Sequence, residues 1–388
     1  MIKVSLKKGK QISILRRHPW IFSGAIERIE GKVADGDVVS VFSADGQFLC
    51  WGHYQNGSIA IRILSFEEPA NLEKFWEHKL QKALDMRIEL GLVKPKTNNI
   101  FRLIHGEGDH LPGLVIDVYG SNAVLQAHSH GMYNSREKIA EALLKLSGHN
   151  IKAVFDKSAE SLGVKSENSF LKGELKDETF FENKAKFAVD FMQGQKTGFF
   201  IDQRENRKLL ETFAKNKRVL NTFCYSGAFS VYALMGGAQH VVSVDASKTA
   251  IQLTDRNIAL NGFETSQHQS VVADVMHWFK TDEENYDIIV VDPPAFAKHL
   301  SAKHRAVQAY KRLNVSAIKK VNAGGLIFTF SCSQVVDHLL FRNTIMAAAI
   351  EAGKQVRILH QLSQGPDHPI NIYHPEGEYL KGLVLHVS

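Results

Sequence analysis

Cysteine is scarce in this chain: among 388 residues there are three, Cys50, Cys224 and Cys332. They lie far apart, with no CxxC and no metal-ligand interval, which argues against a disulfide scaffold and for a reducing compartment. The 18 histidines supply no HExxH pair, so no metal is expected. Nowhere do 18 apolar residues run together, and Met1–Lys10 holds no apolar run of signal-peptide length, so a soluble, cytoplasmic protein without a membrane partner is expected. Neither GxGxxG nor GxxxxGK(S/T) occurs, which disfavours a dinucleotide and a P-loop nucleotide.

What is present is ample core material and a modest positive charge. Hydrophobic residues make up 44% and charged residues 23%, and the formal charge is +6. Residues 1–66 carry nine basic against five acidic side chains, a net of +4, so two thirds of the excess sits in about one sixth of the chain. Such a patch attracts a polyanion such as RNA, although an ordinary solvated surface accounts for the same charges.

The length predicts two or three domains. Strand-like runs at 38–42, 48–52 and 59–64, separated by Asp35-Gly36-Asp37, Asp45-Gly46 and Asn56-Gly57, predict a small barrel-like β domain over 1–68. In it, Arg16, Arg17 and Trp20 form a basic and aromatic patch that either stacks and clamps RNA or, for Trp20, belongs to the core. A middle α+β domain over 69–185 follows, with a helix from Asn71 to Leu90, strands at 101–104, 114–119 and 123–126, a helix at 135–146, a strand at 151–155 and a charged, solvated hairpin at 172–178.

From 186 to 388 strand and helix alternate. Strands are expected at 218–223, 241–245, 270–274, 287–292 and 326–330, with two more at 356–359 and 382–387, so the fold class is a multidomain chain ending in an α/β, Rossmann-like domain. Ligands of open α/β sheets bind outside the carboxyl ends of the strands. Polar landmarks fall there: the turn Asn221-Thr222-Phe223-Cys224-Tyr225-Ser226-Gly227, then Asp245, Asp274 and Asp292. A single polar residue of this kind at a strand end is usually a helix cap, but four landmarks in register are hard to explain as caps alone. Together, Asn221, Phe223, Tyr225, Gly227, Asp245 and Asp274 suit an adenosyl ligand: Gly227 lets the backbone pass close, Asp245 accepts from two ribose hydroxyls, and Asp274 receives the adenine amine. This fits S-adenosylmethionine better than NAD or ATP.

At this point the chain resembles the class I S-adenosylmethionine-dependent methyltransferases, and among them the 5-methylcytosine family of large-subunit ribosomal RNA methyltransferase I. The resemblance rests on Gly194-Gln195-Lys196-Thr197-Gly198-Phe199-Phe200-Ile201-Asp202-Gln203-Arg204-Glu205-Asn206-Arg207, the 221–229 turn, Val291-Asp292-Pro293-Pro294-Ala295-Phe296, Thr329-Phe330-Ser331-Cys332-Ser333 and Tyr379-Leu380-Lys381-Gly382. It implies an N-terminal PUA domain, a middle α+β domain, and methylation of one cytosine in 23S rRNA or a large-subunit precursor. Also by resemblance, Lys196, Thr197 and Phe200 close over the cofactor, and Asp292 lies at the cofactor and the base. Oligomeric state is not fixed by the sequence; a homodimer is the assembly considered.

Unactivated cytosine C5 cannot take a methyl group, and a thiolate added at C6 makes it nucleophilic. Cys332, at a strand end of the cleft, is the candidate nucleophile, the alternative being a buried strand-end cysteine. Asp292 is expected to hold the N3 and N4 edge of the base. Arg204 and Arg207, three apart on one helix face, either approach RNA phosphate or pair with carboxylates in a solvated face. Two other functions compete. An amino-group methyltransferase would use Asp292-Pro293-Pro294 without a thiol, but Ala295 stands where its motif needs an aromatic ring; a non-catalytic RNA-binding protein would not need the cofactor landmarks.

Overall fold

The computed structural model describes residues 1–68, 71–163, 167–176, 179–297 and 299–388. Two compact units divide the chain: Met1–Lys184 with Val189–Ile201 and Pro366–Gly377, and Ala185–Ala188 with Asp202–Gly365 and Glu378–Ser388.

The first unit opens with β1 (Ile2–Leu6), α1 (Ile12–Leu15), β2 (Trp20–Phe22), β3 (Ile26–Glu30), β4 (Val38–Phe42), β5 (Phe48–Tyr54) and β6 (Ile59–Ser65). These strands form one six-stranded sheet in the order β2-β6-β5-β4-β1-β3. Alternation sets its inner face: Val4 and Leu6, then Val39 and Val41, point into a cluster with Ile14, Ile21, Cys50, Ile61 and Ile63, as period-two strands require. Strands β4 to β6 match the sequence expectation; β1 to β3 are additional to it.

The rest of this unit holds α2 (Phe75–Glu89), β7 (Ile100–His105), β8 (Leu114–Tyr119), β9 (Asn122–Ala127), α3 (His130–Asn134), α4 (Arg136–Leu143), β10 (Ala153–Asp156), α5 (Ala159–Leu162), β11 (Ser169–Lys172) and β12 (Phe180–Glu182). A second sheet runs β11-β10-β9-β8-β7. Helix α2 begins at Phe75 rather than Asn71, because the Asn71 side chain accepts from the N–H groups of Glu73 and Lys74 at 3.0 and 3.2 Å and folds that stretch into a turn. Trp51 and Leu64 share one buried cluster with Trp76, Leu80, Phe101 and Ile139. The 366–377 segment is tied in by buried Arg87, which binds Asp109 through both terminal nitrogens and donates to the Asp367 carbonyl at 2.9 Å. Of the expected 172–178 hairpin, residues 177 and 178 lie outside the described residues.

The second unit contains β13 (Ala185–Phe187), α6 (Arg204–Phe213), β14 (Arg218–Thr222), α7 (Ala228–Met235), β15 (His240–Asp245), α8 (Lys248–Leu260), β16 (His268–Val272), α9 (Val275–Thr281), β17 (Tyr286–Val291), α10 (Lys303–Lys320), β18 (Val321–Ser331), α11 (His338–Ala352), β19 (Val356–Leu362) and β20 (Lys381–Val387). Seven strands order as β16-β15-β14-β17-β18-β20-β19. The first five are parallel, and β20 enters antiparallel between β18 and β19. Continuous apolar runs such as Ile288–Val291 are buried, as in a sheet covered on both faces. Strand order reverses between β14 and β17, which puts the ligand-binding end of the sheet at the residues following those strands.

Candidate active site

The loop after β14 is held in an unusual backbone. Phe223, Tyr225 and Gly227 have φ of 55°, 47° and 70°, a left-handed conformation costly for side-chain-bearing residues. Neighbours pin it. The Cys224 N–H donates to the Val244 carbonyl at 3.2 Å, and the Tyr225 N–H to Asp245 Oδ2 at 3.0 Å. From α8, Thr254 Oγ1 donates to the Tyr225 carbonyl at 3.0 Å and Asn257 to the Ser226 carbonyl at 2.8 Å. A Cβ at residue 227 would stand 2.5 Å from Thr254 Cγ2, so glycine is required by the helix behind the loop as well as by φ. Strain that is over-determined in this way marks functional loops.

Asp245, at the end of β15, is fixed by a second bond from the Ser247 N–H to Oδ1 at 2.9 Å and stays partly exposed. Asp274 is exposed and caps α9, accepting from the His277 N–H at 2.9 Å. Because it is a cap, β16 ends at Val272 and not at Asp274 as the sequence suggested. Asp274 thus takes the helix-cap reading that the sequence left open, whereas Asp245 holds loop backbone and Ser247 caps α8. Asn221 is turned away: it is buried and donates to Ser230 Oγ at 2.8 Å, which continues to Ser243 and His268. A side chain on that face of the strand meets α7.

Asp292 directly follows β17 and Cys332 directly follows β18, neighbouring parallel strands. Gln203, buried, donates to Asp292 Oδ2 at 3.0 Å and is itself held by Asn206 at 2.6 Å. Cys332 is half-buried between the buried serines 331 and 333. Ser333 Oγ meets the Tyr310 hydroxyl at 3.0 Å and accepts from the Ala297 N–H at 3.3 Å. From β20, Lys381 Nζ donates to the carbonyls of Ser333 at 2.8 Å and Tyr379 at 2.7 Å. Cys50 and Cys224 are buried, and burial pushes both thiols up, Cys224 to about 12. Cys332 is thus the accessible thiol of the three.

Two expected residues take other places. Arg204 and Arg207 are 1% and 2% exposed, and the Arg207 guanidinium lies 5.9 Å from the Tyr232 ring centroid. That corrects both the phosphate and the solvated-face readings, since an amphipathic helix turns this face inward. Lys196, Thr197 and Phe200 belong to the first unit: Lys196 Nζ sits 4.9 Å over the Phe200 ring, and Thr197 Oγ1 donates to Asp117 at 2.6 Å. Arg16 and Arg17 are exposed, and half-buried Trp20 donates its indole N–H to Glu107 at 2.9 Å. Gln203 and Lys381 have no role assigned from sequence; their signal is that they stand inside two of the motifs.

Residues 162–371 match the family described as S-adenosylmethionine-dependent methyltransferase, and residues 4–66 the PUA-like domain. The chain is 39% identical over 394 residues to the ribosomal RNA large subunit methyltransferase I of Aeromonas salmonicida, covering 98% of each chain. With the Escherichia coli protein of the same name it shares 38% over 397 residues, 100% of this chain and 99% of the other. It belongs to the ribosomal RNA large subunit methyltransferase I family. Among solved structures, a proposed S-adenosylmethionine-dependent methyltransferase from Streptococcus mutans superposes with a TM-score of 0.83 at 25% identity, and a methyltransferase complexed with SAH with 0.84 at 26%, each covering both chains fully.

The chain is therefore an S-adenosylmethionine-dependent methyltransferase, with a PUA-like N-terminal sheet and a Rossmann-like sheet as expected. The donor set fits the cofactor: an ionised carboxylate offers about four acceptor positions, and the two backbone N–H groups on Asp245 orient it with capacity left for a pair of vicinal hydroxyls. No helix among the described residues is long and apolar enough to cross a membrane.

Proposed function

We propose that the protein methylates C5 of a cytosine in 23S ribosomal RNA or a large-subunit precursor, with Cys332 as nucleophile and Asp292 as the group that holds the base. The relatives' shared name supports the RNA substrate, and the half-exposed Cys332, following a strand adjacent to that of Asp292, carries the reading. S-adenosylmethionine, when bound, supplies an electrophilic methyl group; Asp245, Asp274 and the Phe223–Gly227 loop are its proposed holders. Lys196, Thr197 and Phe200 keep the role that the family resemblance gives them.

In this chemistry the Cys332 thiolate forms a bond to C6 and drives the ring electrons to C5, while Asp292 favours protonation at N3. Once C5 carries the methyl group, the C5 proton is lost, the sulfur–C6 bond breaks with its electrons returning to sulfur, and N3 gives up the proton it gained. The amino-group alternative is disfavoured by Phe296, the nearest aromatic after the proline pair: it packs on the core with its centroid 4.7 Å from that of Tyr310, and Ala295 occupies the place of a base-stacking ring.

We further propose the division 1–68, 69–185 and 186–388 as functional parts, RNA contact through Arg16, Arg17 and Trp20, a cytoplasmic location alongside the ribosomal substrate, and a homodimer to be checked by light scattering. The test of the mechanism is an RNA with 5-fluorocytosine at the target, whose fluorine cannot leave as a proton does. A covalent adduct on the peptide holding Ser331-Cys332-Ser333, and loss of methylation in Cys332→Ala, are expected. An adduct on Cys224, or methyl on an exocyclic nitrogen, overturns the reading.

A further inference from the structure

Lys381 is a lysine where lysine is expensive. It opens β20, pairs in register with Ser331 at the end of β18 and is 2% exposed. Its ammonium is satisfied by carbonyl oxygens, those of Ser333 and Tyr379, and among the described residues no carboxylate lies within 4.0 Å of it. A buried cation without an anionic partner carries a desolvation cost that carbonyl dipoles only partly offset. The Ser333 carbonyl belongs to the residue immediately after Cys332, so the ammonium is anchored to the backbone one residue from the proposed nucleophile.

We propose that Lys381 is a positioning residue whose ammonium supplies the counter-charge that keeps Cys332 as a thiolate. This rests on Cys332 being the nucleophile. The surrounding groups agree with it. Burial lowers Lys381 to about 8, and the Cys332 charge opposes that more than Glu378 and Asp337 do. Glu378 is engaged with His338 at 2.9 Å. Tyr310, from α10, has its hydroxyl raised by burial and so stays neutral beside Ser333.

The balance is simple. The thiol proton leaves to water; a sulfur lone pair forms the bond to C6; the C5–C6 electrons take the methyl group from the sulfonium; and elimination of the C5 proton returns the pair to sulfur. Lys381 begins and ends as ammonium, neutralising the charge that the sulfur carries before attack and after release.

The test needs no RNA. In the full-length protein, the rate of iodoacetamide alkylation at Cys332, followed by mass spectrometry of its peptide, is measured against pH for wild type, Lys381→Met, Lys381→Gln and Lys381→Arg. The wild-type midpoint should fall below the ordinary thiol range of about 8.5. Lys381→Met and Lys381→Gln should raise it by about one unit, making alkylation near pH 7 roughly tenfold slower, and Lys381→Arg should restore most of the shift. Continued protection of Cys50 and Cys224 reports that each variant is folded. A lysine that merely ties β20 to β18 would leave the profile unmoved, and that result, or a wild-type midpoint at or above about 8.5, overturns the proposal even if no variant folds. The two readings fail separately: an unmoved profile with the 5-fluorocytosine adduct still on Cys332 removes Lys381 alone, whereas an adduct elsewhere removes the nucleophile.

Discussion

Gln203 Nε2 donates to Asp292 Oδ2 across 3.0 Å, joining the segment that leads into α6 to the end of β17. Asn206 holds the Gln203 carbonyl oxygen and also donates to the Ser363 carbonyl at 3.2 Å. The carboxylate assigned to the base is therefore aimed by a buried amide whose own orientation is fixed.

Removing that amide should free Asp292. Gln203→Ala is expected to lower kcat/KM for methylation by about tenfold or more, the value of a hydrogen bond to a charged group. Gln203→Glu should do more: a second carboxylate so close raises the Asp292 pKa, so the acidic limb of the pH–rate profile moves to higher pH. Unchanged profiles for both variants would remove Gln203 from the site.

Asp245→Ala should weaken S-adenosylhomocysteine binding by roughly 2 to 4 kcal/mol, because an acceptor for two ribose hydroxyls is removed and the Tyr225 N–H loses its anchor. Calorimetry on the folded variant decides it, and wild-type affinity would refute the assignment.

Gly227→Ala introduces a Cβ 2.5 Å from Thr254 Cγ2 at φ of 70°. Destabilisation of about 2 kcal/mol or more is expected. Thr254→Ser removes the obstructing methyl and keeps the hydroxyl on the Tyr225 carbonyl, so the double variant should recover part of the loss. Strict additivity in denaturant melts would show that the Cβ–methyl clash is irrelevant.

RNA affinity should respond to Arg16 and Arg17 without deletion of the sheet, which would take Trp51 and Leu64 away and uncover Trp76 and Leu80 in their shared cluster. Arg16→Ala with Arg17→Ala is expected to weaken binding and to flatten the plot of log affinity against log salt by about one for each phosphate that is no longer neutralised. An identical slope would mark these charges as incidental.

The alternation of buried strand and helix from 218 onward is legible in the sequence because a sheet covered on both faces needs continuous apolar runs, and those runs are conspicuous. The landmarks Asp245, Asp274, Asp292 and Cys332 are legible for the same reason, since a strand end fixes where the next polar residue must stand. The place of Asn221 is not, because the sequence does not say which face of a strand meets a helix. Nor is that of Arg204 and Arg207, whose charge suggests solvent while α6 turns that face inward. The left-handed Phe223 and Tyr225 carry no local sign, glycine being the usual residue there; their conformation is imposed by β15 and α8. Strands β1 to β3 escape notice because they are short and border the basic segment, and Lys381 because its meaning depends on a strand pairing some fifty residues away in sequence.

That pairing also orders events in time. Strand β20 lies inside the sheet although its residues are the last of the seven strands to be synthesised. A nascent chain emerging from the ribosome exposes the flank of β18 that awaits β20 until residue 387 is free, so the sheet closes after translation of this unit and not during it. Lys381 reaches the Ser333 carbonyl, next in sequence to Cys332, only at that closure. The part of the sheet made first therefore waits on the strand made last, and the loop that carries Cys332 gains the Lys381 contact to its Ser333 carbonyl in that same late step.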